Sequence, residues 1–281
     1  MNEFLSTRGN ALVDPGLHVW HGEVAAYLFL GGLVAGVMVM SGLLLLRSGG
    51  GEDRSTALAL LPWTAPILLS VGMFFLWLDL ENPWNAVRFY FVFRPSSVMS
   101  WGAWILLAIY PASILLAWRT TPHELRRAAV RLAARAGSRV QGWAEAVDGW
   151  VDARTRAVAL VNVAFGVGLG VYTGLLLGTM AARPLWNSAI LGPLFLTSGL
   201  STGAAFMLLY KLADGERRLL GRLDMGLIAG ELILLAIWLI GLTTGGAASR
   251  SAAALFLGGP YTAAFWTLVV ALGLVVPLAG E

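Results

Sequence analysis

The sequence predicts an all-α integral membrane protein with seven transmembrane helices. Three observations carry that reading. Hydrophobic residues make up 58% of the 281 positions and charged residues only 12%, against about 25% charged in soluble domains. Seven apolar runs approach or exceed the roughly 20 residues that a helix needs to cross a hydrocarbon core about 30 Å thick. Basic residues gather in the connections between those runs, as the charges of membrane topology do. The pI near 9.6 therefore points to a lipid surface and not to nucleic acid.

In chain order, Met1 to Gly16 is polar, with one Arg, and lacks the basic start, short apolar run and small-residue cleavage site of a signal peptide. The first run, Val24–Leu46, is too long for a signal peptide and reads as an uncleaved first helix. The others are Ala57–Leu80, Val98–Trp118, Ala157–Met180, Ser188–Tyr210, Met225–Thr244 and Tyr261–Ala279. Pro62 and Pro66 are tolerable in a membrane where neighbours satisfy the freed carbonyls. With the N-terminus outside, the inner segments hold Arg47, Arg54, the eight arginines from Arg119 to Arg156, Lys211, Arg217, Arg218 and Arg222. The outer segments hold only Arg8, Arg88, Arg94, Arg183 and Arg250. This bias places the N-terminus outside and, after seven spans, the C-terminus inside.

The connection 119–156 is the longest. Thr121-Pro122-His123-Glu124 reads as a capping box with proline at the first helical position, and Leu125, Leu132, Trp143, Val147 and Trp150 interleave with arginines. An interfacial helix on the inner surface, against anionic lipid, is expected; the alternative is a polar loop with partial helix. Gly166, Gly170 and Gly174 form a small-xxx-small stripe for close helix packing. An internal echo links Gly32-Leu33-Val34-Ala35-Gly36 to Gly199-Leu200-Ser201-Thr202-Gly203, with Trp20 and Trp186 preceding them at nearly equal distance. It suggests two parallel four-helix halves, about 20–180 and 186–281, within one membrane domain. Eight helices are then expected, and the eighth is either absent or beyond this sequence.

Cysteine is absent and only His18, His21 and His123 occur. No iron–sulfur cluster can be held by thiolates of this chain, and His18 and His21, three apart on one strip, cannot clamp a haem iron from both sides. The candidate chemistry lies in ionisable groups at membrane depth, which are costly and ask for a reason. Glu23, Tyr27, Asp79, Tyr172 and Arg183 all fall near the outer face, with His21 beside them. A quinone needs an apolar slot, hydrogen-bond donors for its carbonyl oxygens and groups that exchange protons, and this set can supply them. The alternative is a ring of interface anchors and helix caps. Glu231, alone amid Leu227–Ile240, is either a step in a proton path or a neutral acid that joins helices. Trp84, Phe89, Tyr90, Phe91 and Phe93, with Arg88 and Arg94, read as an aromatic belt or as a docking surface for a partner.

Several of these segments resemble the NrfD-like membrane subunits, typified by the polysulfide reductase membrane anchor. They are Tyr27-Leu28-Phe29-Leu30-Gly31-Gly32-Leu33-Val34-Ala35-Gly36, Asp79-Leu80 with Asn82-Pro83, and Phe93-Arg94-Pro95-Ser96-Ser97-Val98-Met99-Ser100-Trp101-Gly102. Tyr172-Thr173-Gly174, Pro184-Leu185-Trp186-Asn187-Ser188 and Ser198-Gly199-Leu200-Ser201-Thr202-Gly203 follow. The resemblance implies eight spans in two bundles, in the cytoplasmic (inner) membrane of a bacterium or archaeon. It implies electron exchange between the quinone pool, menaquinone or ubiquinone, and a ferredoxin-like iron–sulfur subunit with four-iron clusters, four of them expected. That subunit in turn serves a molybdopterin catalytic subunit. It implies no haem, and a quinone site near the face that meets the iron–sulfur subunit. By position, Tyr172 matches the fourth-helix tyrosine beside the quinone, Glu23 and Tyr27 occupy the first-helix positions, and Asp79 matches the acid after the second helix. At Tyr27 the pattern departs from the polysulfide reductase type, which carries a histidine near there, and His21 is the nearby substitute. Asp79, Glu231 and Arg183 form the expected proton path, and Trp84, Arg88, Phe93 and Arg94 the expected docking surface. A secondary transporter or proton channel and a purely structural anchor are the competing readings.

Overall fold

The computed structural model describes residues 22–48, 55–80, 82–179 and 183–280. His18, Trp20 and His21 lie outside them. Ten helices account for most of the described residues: α1 Gly22–Ser48, α2 Thr56–Asp79, α3 Val98–Thr120, α4 His123–Arg135, α5 Ser138–Ala153, α6 Thr155–Gly178, α7 Leu191–Leu208, α8 Asp214–Thr244, α9 Ala247–Ala254 and α10 Thr262–Gly280. Seven of them, α1, α2, α3, α6, α7, α8 and α10, are long and apolar enough to cross a bilayer, at the places of the seven apolar runs. No strand occurs among the described residues. This is an all-α integral membrane protein.

The long helices define two faces of the bundle. At one, here the aromatic face, α1 begins and α2 ends, followed by a 3₁₀ segment, Pro83–Tyr90, that leads to α3. At the other, the arginine face, α3 ends, α6 begins, and α4 and α5 stand between them. Pro62 and Pro66 cannot donate backbone hydrogen bonds, and α2 tightens to a 3₁₀ turn at Leu61–Trp63 before resuming.

Helix α1 is apolar all round, and every residue from Gly31 to Gly42 is buried, while Phe29 nearer its start is exposed. It packs against α2, α6 and α7, and Val34, Ala35 and Val37 are fully enclosed. The closest approach is at the two echoed glycine motifs, which cross each other. A Cβ on Gly36 would lie 2.7 Å from the Gly203 Cα, and one on Gly199 would lie 2.8 Å from the Gly32 carbonyl oxygen. Backbone cannot yield as a side chain can, so only glycine fits. The stripe on α6 works the same way, with Gly166 against α1 and Gly174 against Gly192 of α7.

Two sequence readings change. Helix α8 starts at Asp214, eleven residues before Met225, with Glu216 accepting a hydrogen bond from the Ala213 amide (3.0 Å) and a second from the Ser55 amide (3.3 Å). Its 31 residues span about 46 Å, so its first turns project beyond an apolar core. The capping box at Thr121 does not form either. Helix α4 begins at His123 without a side-chain cap, because the Thr121 hydroxyl donates to the Ala117 carbonyl (2.7 Å) and accepts from the Trp63 indole (2.8 Å).

Candidate functional site

Near the aromatic face, four elements bring phenols toward one another. Tyr27 lies about 8 Å along α1 from its start and Tyr172 about 9 Å from the end of α6, both buried. Tyr27 is within electrostatic reach of Tyr172 and of Tyr90. Tyr90, the last residue of the 3₁₀ segment, is in turn within reach of Tyr110 on α3. Burial, with Tyr110 nearby, raises the Tyr90 phenol above its ordinary value. It is therefore a protonated donor at neutral pH.

Small residues make the room. Gly102 on α3 lies directly under the Tyr172 ring, so that a Cβ there would fall 2.7 Å from Cε1, with Cζ and the hydroxyl closer still. Gly72 on α2 faces Tyr27, whose Cδ2 would be 3.6 Å from a Cβ placed on that glycine. Ser70, two residues before Gly72, lies about 14 Å along α2 from Asp79, at membrane depth. Its hydroxyl donates to the Pro66 carbonyl at 2.8 Å. The Tyr110 hydroxyl, 3.1 Å away, is left to donate to Ser70.

This Ser70–Tyr110 pair is not sealed by protein. Helix α2 packs chiefly on α1, and α3 chiefly on α6, so the two diverge. Ile67 and Phe74 on the Ser70 side, and Leu107 and Ile114 on the Tyr110 side, are all exposed. The two hydroxyls therefore meet on an apolar surface that faces the lipid side. Aromatic rings gather toward the aromatic face: Phe74 stacks on Trp77 at 6.2 Å, Trp77 meets Trp84 edge-on at 6.0 Å, and Phe93 meets Trp101 at 5.1 Å and Trp104 at 5.9 Å.

The other expected residues fall as follows. Asp79 is the last residue of α2 and half-buried, and Glu23 sits, half-buried, in the first turn of α1. Trp84, Arg88, Phe93 and Arg94 are exposed on the same face. The loop that carries the last two is pinned by the buried Ser100, whose hydroxyl accepts from the Arg94 amide (3.0 Å) and donates to the Val92 carbonyl (3.3 Å). Arg183 is exposed, its guanidinium 5.6 Å above the Trp186 ring. His21 lies outside the described residues.

Glu231 is not beside these groups. It hydrogen-bonds with Ser198 of α7, and its acidic neighbour is Asp224, about two turns toward the arginine face on α8. Asp224 is buried and accepts a 2.6 Å hydrogen bond from Ser201. Two serines on α7 thus meet two carboxyls on α8. Among the described residues no cluster of three or more His, Cys, Asp or Glu is gathered as metal ligands.

The sequence profile described as "Polysulphide reductase, NrfD" matches residues 12–280. The chain belongs to the NrfD family. Among its relatives, the C subunit of Wolinella succinogenes polysulfide reductase is 30% identical over 277 residues, covering 92% of this chain and 82% of the relative. Protein NrfD of Escherichia coli K12 is 31% identical over 272 residues, covering 92% and 83%. The NrfD homolog of Haemophilus influenzae is 27% identical over 271 residues, covering 92% and 82%. Seven apolar helices and this family membership make the chain a multi-pass membrane protein.

Sequence reasoning missed Tyr90's role, Tyr110, Ser70, Gly102 and Asp224. Tyr110 is a phenol within a span, the same signal that singled out Tyr27 and Tyr172. Asp224 escaped because it precedes by one residue the apolar run that marks α8.

Proposed function

We propose that this chain is the quinone- or quinol-binding membrane subunit of a respiratory oxidoreductase complex, exchanging electrons between the quinone pool and an iron–sulfur partner subunit. The observation that carries the reading is the gathering of Tyr27, Tyr90 and Tyr172, from three separate elements, with the Ser70–Tyr110 hydroxyl pair on an apolar surface that faces lipid. Phenols that keep their protons donate hydrogen bonds to carbonyl oxygens, and apolar walls accept an isoprenoid tail. Family membership supports the reading, and one relative is by name part of a reductase.

The bound substrate, menaquinone or ubiquinone, takes up or releases two electrons and two protons. In this chain Tyr172 and Tyr27 hold and orient the ring. Glu23 and Asp79, near the aqueous rim, exchange the protons with water, with His21 as a further candidate. Electrons pass to or from the iron–sulfur subunit, seated on Trp84, Arg88, Phe93 and Arg94, and beyond it a molybdopterin subunit performs the reaction in water. The arginine bias supports a topology with the aromatic face and the N-terminus outside the cytoplasmic membrane.

The decisive experiment compares two activities of the purified complex. Tyr172→Phe and Asp79→Asn should each impair turnover with quinol or quinone and leave the catalytic partner's activity with an artificial dye intact. Equal loss of both activities would show that these residues serve assembly instead. A second reading has its own support: the Ser201–Asp224 and Ser198–Glu231 pairs are a start for proton conduction from the arginine face, to which Asp79 and Arg183 would be the exit. Proton uptake by vesicles that hold the complex, lost in Glu231→Gln without loss of quinol turnover, would support it.

A further inference from the structure

The segment between α3 and α6 is an antiparallel hairpin, α4 and α5, joined at Gly137, whose φ of +126° is a glycine conformation. Of its arginines, Arg126 is 1% exposed. Its Nη1 and Nη2 donate to both Asp152 carboxylate oxygens at 2.9 and 2.8 Å, and its Nε donates to Asp148 at 2.6 Å. Arg119, at the end of α3, reaches Asp152 (3.3 Å) and Thr155 (2.6 Å), and the Trp118 indole donates to Asp148 (2.8 Å). This network fixes the hairpin to the ends of α3 and α6. It also neutralises two arginines with two aspartates. The rest of 119–156 keeps Arg127, Arg131, Arg135, Arg139, Arg154 and Arg156 against only Glu124 and Glu145.

The hairpin has two unlike faces. On α4, the buried Arg126 and the half-buried Val130 turn toward α5, and the exposed Leu125 and Leu132 stand about a third of a turn away. On α5, Ala144 and Asp148 turn toward α4, and the exposed Val140, Trp143, Val147 and Trp150 stand about a quarter to a third of a turn away. In an antiparallel pair these two offsets place both strips on one broad face. Arg127, Arg131 and Glu145 fall on the other. The apolar face has a direction, because Val151, beside Val147 on that side of α5, is fully buried in the core at the arginine-face ends of α1, α3 and α6, against Leu45, Leu116 and Val158. The side of α5 that meets the membrane-embedded core is the side that continues into the exposed apolar strip.

We infer that the hairpin is a lipid-seated platform: its Leu125–Leu132 and Val140–Trp150 face lies immersed in the adjoining leaflet, held there by the phosphate headgroups of anionic lipid around its remaining arginines. Tryptophan suits that depth, having an apolar ring and a polar N–H, and arginines within a Debye length of an anionic surface are drawn to it. Charge complementarity and continuity with the buried core favour lipid over a protein occupant.

Cysteine is absent from the sequence, so single labels are unambiguous. Nitroxide spin labels at Leu132→Cys and Trp143→Cys, and at Arg131→Cys and Glu145→Cys for the other face, would be read in the full chain reconstituted into vesicles. One set is phosphatidylcholine alone and the other contains one quarter phosphatidylglycerol. The expected result is that labels at 132 and 143 are relaxed by oxygen and shielded from a water-soluble nickel chelate, while those at 131 and 145 show the reverse. Phosphatidylglycerol should deepen the first pair, and replacing Arg127, Arg131 and Arg135 with glutamine should abolish that deepening. Nickel access equal on both faces would overturn the inference, because the apolar face would then lie in water. Exclusion of both reagents at 132 and 143 would also overturn it in favour of a second copy of this chain. Depth indifferent to phosphatidylglycerol would overturn the anionic-lipid part.

Discussion

Replacing Gly102 with alanine tests whether the position of the Tyr172 hydroxyl matters, without touching the hydroxyl itself. The new methyl would lie 2.7 Å from Tyr172 Cε1, where ordinary contact begins at 3.4 Å. The ring edge must retreat by about 0.7 Å and the hydroxyl, which starts closer, by more than twice that. Overpacking of this kind costs typically about 1–3 kcal/mol, small enough for the bundle to stay folded. A displacement of about 1 Å in a positioning group can lower a rate on the order of 100-fold. Gly102→Ala should therefore cut quinol-coupled turnover of the complex by about one to two orders of magnitude and leave dye-coupled activity unchanged. The control is the same substitution in a Tyr172→Ala background, where the methyl has no ring to displace and should add no further loss. Gly102→Ala with quinol turnover within about twofold of the parent and an unchanged melting temperature would refute the reasoning, since the ring would then have moved without consequence.

Other outcomes follow from the same geometry. Tyr110→Phe removes the donor to Ser70 and should raise the KM for quinol more than it lowers kcat, whereas Ser70→Trp should cover the hydroxyl pair and lower both kcat and kcat/KM; steady-state kinetics with a quinol series separates them. Gly203→Val forces two backbones apart where a Cβ would sit 2.6 Å from the Val37 amide nitrogen, and should abolish recovery of folded chain in size-exclusion chromatography. Arg126 holds the Asp152 carboxyl below the ordinary carboxylate range, chiefly through their hydrogen bonds. A group with a depressed folded pKa stabilises above its unfolded value, about 3.9, and loses that contribution as pH falls through the folded one. Hydrogen-exchange protection of α4 and α5 should therefore hold from neutral pH down to about pH 4 and decline below it, while Asp152→Asn should lose the pH dependence and part of the protection at all pH values.

The spans were legible because the signal is coarse and redundant: a run of twenty apolar residues tolerates errors of several positions at either end. Where a span carries charge the signal fails, and α8 shows it. Asp214, Glu216, Arg217, Arg218, Arg222 and Asp224 read as loop, although the helix simply continues through them beyond the apolar core. The glycine echo was legible as a pattern but not as a contact, since nothing in two separate motifs says that they cross each other. At the site, Tyr27 and Tyr172 stood out as phenols in apolar runs. Gly102 did not, because a glycine's value lies in what fills the space it leaves, and that ring comes from a residue seventy positions away. Ser70 was hidden for a related reason. A lone serine in a helix ordinarily bonds to the preceding turn, as this one does, and only the fold brings the Tyr110 hydroxyl to it.

Helix α1 also decides how the two polar regions relate. Tyr27 faces Gly72 on α2, and Gly36 faces Gly199 and Gly203 on α7, so α1 lies between the phenols and the serine–carboxyl pairs, which lie farther out still, between α7 and α8. The α1–α7 seam is closed by backbone against backbone, and its one side-chain polar contact among the described residues is the weak Ser41 to Met207 sulfur approach at 3.9 Å. A proton moving from Glu231 to the phenols has no continuous side-chain route through that seam. The two regions share no partner, and energetic effects of substitutions at such separated sites add within about 0.3–0.5 kcal/mol. In a double-mutant cycle of quinol turnover, Tyr172→Phe and Glu231→Gln should then multiply their separate losses. Where Glu231→Gln alone slows quinol turnover, a double mutant no slower than Tyr172→Phe alone would place both groups on one relay and would require ordered water across the glycine crossing.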